Sequence, residues 1–261
     1  MAADLPPDDD MVTAEVTLSS PDWELRTKVR FPTGPIRMRQ MLPMVQVLAD
    51  RVVDVASETV KGQGQRISCT KGCGACCRQL VPIAQVEARH IRTVVERMDE
   101  PRRSTIRARF GEARRRLEES GLLQRLLESD QWREGDSRAL GLQYFGLGIP
   151  CPFLEEESCS IYHDRPIACR EYLVTSPAEN CGRPTAETVK LVPLPFRIWT
   201  AMARVEDAFR RAPWVPLILA PEWADAHPDE PSPRPGSDLV RGLFDQITQQ
   251  TKKAASEEPK R

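Results

Sequence analysis

Cysteines at 69, 73, 76, 77, 151, 159, 169 and 181 leave the first 68 and the last 80 residues of this 261-residue chain without a thiol. Four of the eight fall within nine residues, Cys69-Thr-Lys-Gly-Cys73-Gly-Ala-Cys76-Cys77. A helix over this segment would set the thiols on one stripe ~100° wide. At ~1.5 Å of rise per residue its outer two Cα atoms would lie ~12 Å apart, whereas thiolates on one zinc sit ~2.3 Å from the metal. A straight helix therefore cannot close all four round one ion. Gly72 and Gly74 let the chain bend, so the spacing predicts a loop that wraps a metal. Adjacent Cys76 and Cys77 tend to point in different directions, which suits two binding sites or a multinuclear cluster.

A second group supplies Cys151, Cys159 and Cys169 on stiff, aromatic-containing spacers, and Cys181 follows in a Pro/Gly-rich loop. Residues 78–150 between the groups read as mostly helical. The simplest architecture folds them as a helical hairpin that brings both groups to one end, where a metal would tie the fold together. A structural zinc site contributes ~10–16 kcal/mol. Free cysteine is also a small hydrophobe that packs in cores, and redox disulfides are a further use. Four thiols in nine residues with three more nearby fit neither as well as they fit metal binding. His163 stands between Tyr162 and Asp164 and reads as a surface or hydrogen-bonded residue ahead of a ligand; His90 and His227 lie farther from the cysteines in sequence.

Partners are narrowed by charge. Thirty of the 37 basic residues are arginine, yet 38 acids balance them to a net charge of -1, so nucleic-acid binding is not favoured. Residues 101–116 hold seven arginines against Glu112 alone, a basic face that reads as solvated or as a site for an acidic protein partner. The start, MAADLPPDDDM, is acidic and lacks the features of a signal peptide, and no run is apolar and long enough for a membrane span. The expected compartment is the cytoplasm.

Residues 1–10 read as disordered. Two partly alternating runs, Val12 to Leu18 and Trp23 to Phe31, flank Ser19-Ser20-Pro21-Asp22 as in a β-hairpin. Helical spacing follows from Met41 through Met44, Val45, Leu48, Val52, Val55 and Ala56 to about Lys61. Pro82 suits the first position of a helix running towards Pro101, and a second helix stops at Gly121. Leu122 to Phe145 reads as helix in two pieces. Eleven of the 23 prolines lie between 177 and 235, leaving room for a helix over Ile198 to Arg211 and extended pieces over Val215 to Leu219. A last amphipathic helix, Leu239 to Ile247, precedes a polar tail from Gln249. The fold class is mainly α: a short hairpin within 1–36, a helical cysteine-cluster domain over 37–220 closed by a metal site, and a Pro-rich C-terminal region over 221–261. There is no βαβ alternation.

At the cysteines the sequence resembles the YkgJ-type cysteine-cluster family of zinc- or iron-chelating domains. The resemblance rests on Cys69 with Gly72-Cys73-Gly-Ala-Cys76-Cys77, Cys151-Pro-Phe-Leu154, Cys159, Ile161-Tyr162, Arg165-Pro166 and Cys169-Arg170, about residues 67 to 172. One departure is that three residues separate Cys69 from Cys73 where the family pattern has two. The resemblance implies a small, mainly helical bacterial domain that binds a metal or an iron-sulfur centre. One branch resembles flagellin lysine methylases that use S-adenosylmethionine, but no nucleotide-binding fingerprint stands outside the cysteine region here. Cys69-x3-Cys73-x2-Cys76 is also the spacing of radical S-adenosylmethionine enzymes. Ala75 replaces their usual aromatic, and the βα alternation of their barrel is missing.

The ligand set expected is Cys69, Cys73, Cys76, Cys77, Cys151, Cys159 and Cys169, with Cys181 as an eighth member. All-sulfur ligation suits zinc or an iron-sulfur cluster, and the surplus of thiols over zinc's four tilts the reading to iron-sulfur. The alternatives are a methylase-like or redox enzyme, or a zinc-stapled interaction module. Arg165 and Arg170 flank the second group, either as donors that offset thiolate charge or as salt-bridge partners of Asp164 or Glu171.

Overall fold

The computed structural model describes residues 10–20, 23–128, 136–185, 187–207, 214–228 and 230–257. Of residues 1–10, expected to be disordered, 1–9 lie outside the described residues, while the Asp10 carbonyl accepts the Thr33 N–H at 3.1 Å. An antiparallel hairpin opens the chain: β1 (Met11–Ser20) pairs with β2 (Trp23–Pro32) from Met11↔Pro32 to Ser20↔Trp23. The alternation in β2 turns Leu25, Val29 and Phe31 inward, as period-two patterning requires, and Trp23 rests against Phe196 with ring centroids 5.4 Å apart. A two-residue strand, β3 (Pro35–Ile36), precedes α1 (Met38–Gly62), whose buried stripe includes Met41, Val45, Leu48, Val52, Ala56 and Val60. The largest core joins β2 and α1 to two later helices, α7 (Ile198–Glu206) and α9 (Gly236–Glu257).

The cysteine loop follows α1 and leads into β4 (Pro82–Ala84) and α2 (Gln85–Glu96). Pro82 thus begins a strand and not a helix. It pairs with Pro216 of β7 (Trp214–Pro216), and a two-stranded ladder tolerates proline at its rim. The helix starts three residues later, where the Glu87 carboxylate accepts the Ala84 N–H at 3.0 Å. Next come α3 (Arg102–Glu119), α4 (Leu122–Leu127) and α5 (Asp136–Gly146). Gly121 separates α3 from α4 at φ 75°, a left-handed conformation that glycine adopts without steric cost.

After α5, β5 (Leu154–Glu155) and β6 (Ser158–Cys159) form a tight hairpin and α6 (Ile167–Arg170) carries Cys169. Of the expected extended run from Val215, only the start is strand: Leu217–Leu219 is a 3-10 turn that leads into α8 (Ala220–Ala226). β8 (Arg234–Pro235) pairs with β3, and α9 runs on through Glu257, so most of the expected tail is helical. The C-terminal part of the expected Ile198 to Arg211 helix, 208–213, lies outside the described residues. Among the described residues every strand pair is antiparallel, and no helix is long and apolar enough to cross a membrane.

The basic helix α3 is occupied within the chain. Arg102 donates to the Ser160 carbonyl (3.0 Å), Arg109 to that of Pro152 (3.0 Å) and Arg116 to that of Leu147. Arg114 pairs with Glu222 (2.9 Å), and Arg115 with Glu112 (2.6 Å) and Glu119. The guanidinium groups thus fasten α3 to the segment carrying Cys151 and Cys159. The exposed ion pairs are screened by water and contribute little, but the bonds to backbone carbonyls fix position.

Elsewhere a buried ion pair joins α2 to α7: Glu206 accepts the Val86 N–H at 2.8 Å and faces Arg89 at 3.3 Å. Burial dominates and pushes the Glu206 carboxyl up to about 7 from the usual 4.5, against the lowering effect of Val86 and Arg89. A folded-state value raised above the unfolded one makes folding favour the protonated form. Stability from this group is full below about pH 4.5 and is lost as pH rises through 7. In urea titrations of the wild type and Glu206→Gln, the wild type should lose about 2 kcal/mol more than the variant between pH 5.5 and 8. Parallel pH curves would show that Glu206 stays ionised throughout.

Candidate metal centre

Cys69 to Arg78 is a loop, as the spacing argument requires. Gly72 supplies a turn at φ 89°, and residues Ala75–Arg78 form a 3-10 turn that carries Cys76 and Cys77. The loop is held at both ends. Ser68 N–H donates to the Val174 carbonyl (2.9 Å), while Val174 N–H returns a bond to Cys69 Sγ (3.4 Å). At the other end the Cys77 carbonyl accepts the Cys151 N–H at 2.7 Å, which joins the two cysteine groups directly through backbone.

The β5–β6 hairpin presses on the same loop. Arg78 donates to both Glu157 carboxylate oxygens (2.6 and 3.0 Å) and to the Gly74 carbonyl (2.9 Å). A Cβ on Gly74 would stand 2.5 Å from Glu157 Oε2, 2.7 Å from Leu154 Cδ1 and 3.2 Å from Glu157 Cα, so a side chain here would have to displace the Glu157 carboxylate and the Leu154 methyl. Glu156 and Glu157 turn the hairpin at φ 48° and 55°, the left-handed pair that a two-residue turn demands and that glutamate adopts at a cost.

Cys151 and Cys159 pack against the core formed by Ile83, Ile91, Phe110 and Phe153. Cys169 sits on α6, whose first turn is fixed by Glu87: the carboxylate that caps α2 also accepts the Ile167 N–H at 2.7 Å. Burial raises Glu87 to about 7. Glu171, raised to about 8 by burial, accepts the Ile198 N–H at 2.6 Å and so ties α6 to α7. The sequence did not point to the capping roles of these two buried glutamates. Glu87 had a detectable signal, an acid at the third position of a helix; Glu171 had none.

The thiols come from separated parts of the chain into one neighbourhood. Cys76 and Cys77 hydrogen-bond each other through their side chains, and Cys76 acts electrostatically on Cys69, Cys151, Cys159, Cys169 and Cys181. Cys181 is buried and the other seven are partly buried. Burial, reinforced by neighbouring thiols, pushes Cys151 up to about 12 and raises Cys69, Cys159, Cys169 and Cys181. In Cys76 the bond to Cys77 is the largest cause, ahead of burial. Among the described residues, no three His, Cys, Asp or Glu side chains converge tightly enough to hold one ion as they stand.

The two arginines divide. Arg170 is a structural brace, bonded to Asp50 (2.8 Å) and to the carbonyls of His163 (2.6 Å) and Arg165 (3.1 Å); its carboxylate partner is Asp50 and not Asp164 or Glu171. Arg165 lies over the Tyr162 ring (4.2 Å) and favours the ionised form of both Cys76 and Cys159. Its buried Nε has no hydrogen-bond partner. An orphaned cationic donor beside neutral thiols is costly, whereas beside metal-bound thiolates it is well placed. The all-sulfur donor set and this donor together fit zinc or an iron-sulfur cluster.

His90 bonds Asp164 (3.3 Å), and His163 gives its carbonyl to Arg170. His227 stacks on Trp223. Two small cavities, about 10 and 30 Å³, lie around Met38, Glu206 and Pro231, away from the cysteines.

Residues 68–188 match the CxxCxxCC family model. Its description reads "Putative zinc- or iron-chelating domain". The resemblance read from the motif is borne out, and the matched span extends past it to include Cys181. Neither a curated protein nor a solved structure matches the chain. The match supports metal binding by the matched region, residues 68–188.

The contact at Gly74 is directly testable. Gly74→Ala should lower stability by roughly 1–3 kcal/mol in urea titrations, because it forces apart the loop and the hairpin. Gly111→Ala, in α3 with open space round its Cα, should be neutral or slightly stabilising. Equal effects at the two sites would remove the close-approach argument.

Proposed function

We propose that this protein is a cytoplasmic metal protein whose centre is held by Cys69, Cys73, Cys76, Cys77, Cys151, Cys159, Cys169 and Cys181. The observation that carries the reading is the meeting of the two cysteine groups: the Cys77 carbonyl takes the Cys151 N–H, and Cys76 faces thiols from both. Burying a set of thiols side by side disfavours their ionisation, and a bound cation reverses that balance.

The centre takes zinc or an iron-sulfur cluster, with iron-sulfur favoured because the thiols outnumber the four that one zinc binds and because Cys76 and Cys77 are adjacent. Ligation also completes the fold. The short elements β5, β6 and α6, of two, two and four residues, have little regular hydrogen bonding of their own, so a shared metal adds the cross-links that a longer sheet would supply. The arginines of α3 are engaged with this segment, so the helix serves as a support for the centre and is not advanced as a docking surface.

Iron, zinc and acid-labile sulfide per chain, with a visible spectrum, should be measured on protein purified without oxygen and compared with Cys73→Ser and Cys159→Ser. The wild type should carry at least one metal per chain and both variants markedly less. Full metal content in both variants would overturn the assignment.

A further inference from the structure

The β1–β2 hairpin is a two-stranded ribbon, and among the described residues no third strand pairs with it. Antiparallel pairs alternate between residues that exchange both backbone bonds and residues that exchange none. The Thr33 N–H donates to the Asp10 carbonyl at 3.1 Å, one step beyond Met11↔Pro32, so the bonded pairs are Val12↔Phe31, Ala14↔Val29, Val16↔Thr27 and Leu18↔Leu25. Pro32, which has no N–H, falls on a non-bonded pair, as this phase requires. Met11, Thr13, Glu15, Thr17 and Ser19 therefore turn their N–H and C=O groups away from β2, along an open edge ~27 Å long. Thr13, Glu15, Thr17 and Ser19 are exposed, and among the described residues no backbone bond outside the ladder engages them.

The two edges of the ribbon differ. On β2 the outward groups belong to Glu24, Arg26, Lys28, Arg30 and Pro32, which include three cations and a residue without a donor, features that discourage pairing at an edge. β1 has no lysine, arginine or proline, keeps its register over ten residues without a bulge, and is rich in valine and threonine. It retains the pairing capacity that β2 has lost. Its apolar side is also incompletely covered: Ala14, Val16 and Leu18 pack on the main core yet stay partly exposed.

Symmetry narrows what can occupy this edge. Pairing β1 of one chain with β2 of the next would run on without closing, and Pro32 and the charged residues of β2 disfavour it. An antiparallel β1–β1 pair closes under a two-fold axis, because a strand edge presents the same donors and acceptors read from either end. Centred on Glu15, it would set two carboxylates against each other. Centred on Val16, it joins Val16 to Val16 and Ala14 to Leu18 on the core side. On the outer side that register sets Glu15 against the partner's Thr17 and Thr13 against the partner's Ser19, with ~8 backbone bonds in all.

We propose that two copies of this chain associate through their β1 edges, in the register centred on Val16, to form a four-stranded antiparallel sheet in the order β2–β1–β1–β2. The pairing satisfies the open backbone groups and merges the two apolar rows into one.

Sedimentation equilibrium tests this on the full chain, purified with its metal without oxygen and kept under reductant so that no disulfide joins the copies. The mass should rise with concentration from one chain of 29.5 kDa to two, and no further. Thr17 reports the register. Thr17→Glu sets a carboxylate against the partner's Glu15 at two symmetric places and should weaken association roughly tenfold, whereas Thr17→Lys supplies the opposite charge and should strengthen it by a similar factor. Within one chain Thr17 faces Arg26, so the thermal stability of dilute protein should move in the opposite sense, which separates association from folding. A single chain up to millimolar concentration, growth beyond two, or equal dissociation constants for the two variants would overturn the proposal.

Amide exchange gives a reading without substitutions. In dilute protein the N–H groups of Ala14, Val16 and Leu18 should be protected by β2, while those of Thr13, Glu15, Thr17 and Ser19 exchange freely. Raising the concentration should protect the second set. Protection of that set in dilute protein would show the edge already covered within one chain, and would also overturn the proposal.

Discussion

A single short backbone bond, from the Cys151 N–H to the Cys77 carbonyl, closes a loop of more than seventy residues and sets two groups of thiols against each other. Its consequence is electrostatic. Thiols that share a partly buried neighbourhood resist ionisation, through the loss of water and through their neighbours, so the arrangement is poorly suited to isolated reactive cysteines. It suits a cation. The same crowding that raises the thiols in the metal-free chain becomes favourable once a divalent charge neutralises them, and the orphaned Nε of Arg165 changes from a buried liability into a donor beside negative sulfur.

The rest of the fold holds these groups in place. Glu87 caps two helices at once, joining the start of α2 to the start of α6, and Glu171 carries that line on to α7. Arg170 joins α6 to Asp50 of α1, so the segment carrying Cys169 is tied to three helices by buried or half-buried polar groups. The arginines of α3 do the same for the hairpin of Cys159, by donating to carbonyls at Leu147, Pro152 and Ser160. Regular secondary structure is sparse near the thiols, and side-chain bonds to backbone replace it.

Much of this was legible in the residues. Period-two alternation gave the β1–β2 hairpin, and the apolar stripe of α1 emerged from Met41 to Ala56 because both elements pack one face on a common core. The helical rise forbade a single-ion helix at Cys69 to Cys77, and the chain is a loop there. Local rules failed where a distant partner decided the outcome. Pro82 carries a legitimate helix-start signal, but its pairing with Pro216, remote in sequence, makes it strand. The basic run 101–116 reads as a free charged face because the carbonyls and the Glu222 carboxylate that engage it lie more than thirty residues away. Glu171 gave no signal, since its partner is the N–H of Ile198 and burial is a property of the assembled helices. Arg170 and Arg165, alike in sequence context, separate only when Asp50 is brought to one and the thiols to the other.

The central claim is that sulfur from both cysteine groups encloses the metal. X-ray absorption at the edge of the metal found in protein purified without oxygen reports the ligand atoms directly. The account predicts an inner shell of sulfur alone, at ~2.3 Å. A shell dominated by nitrogen or oxygen would contradict it.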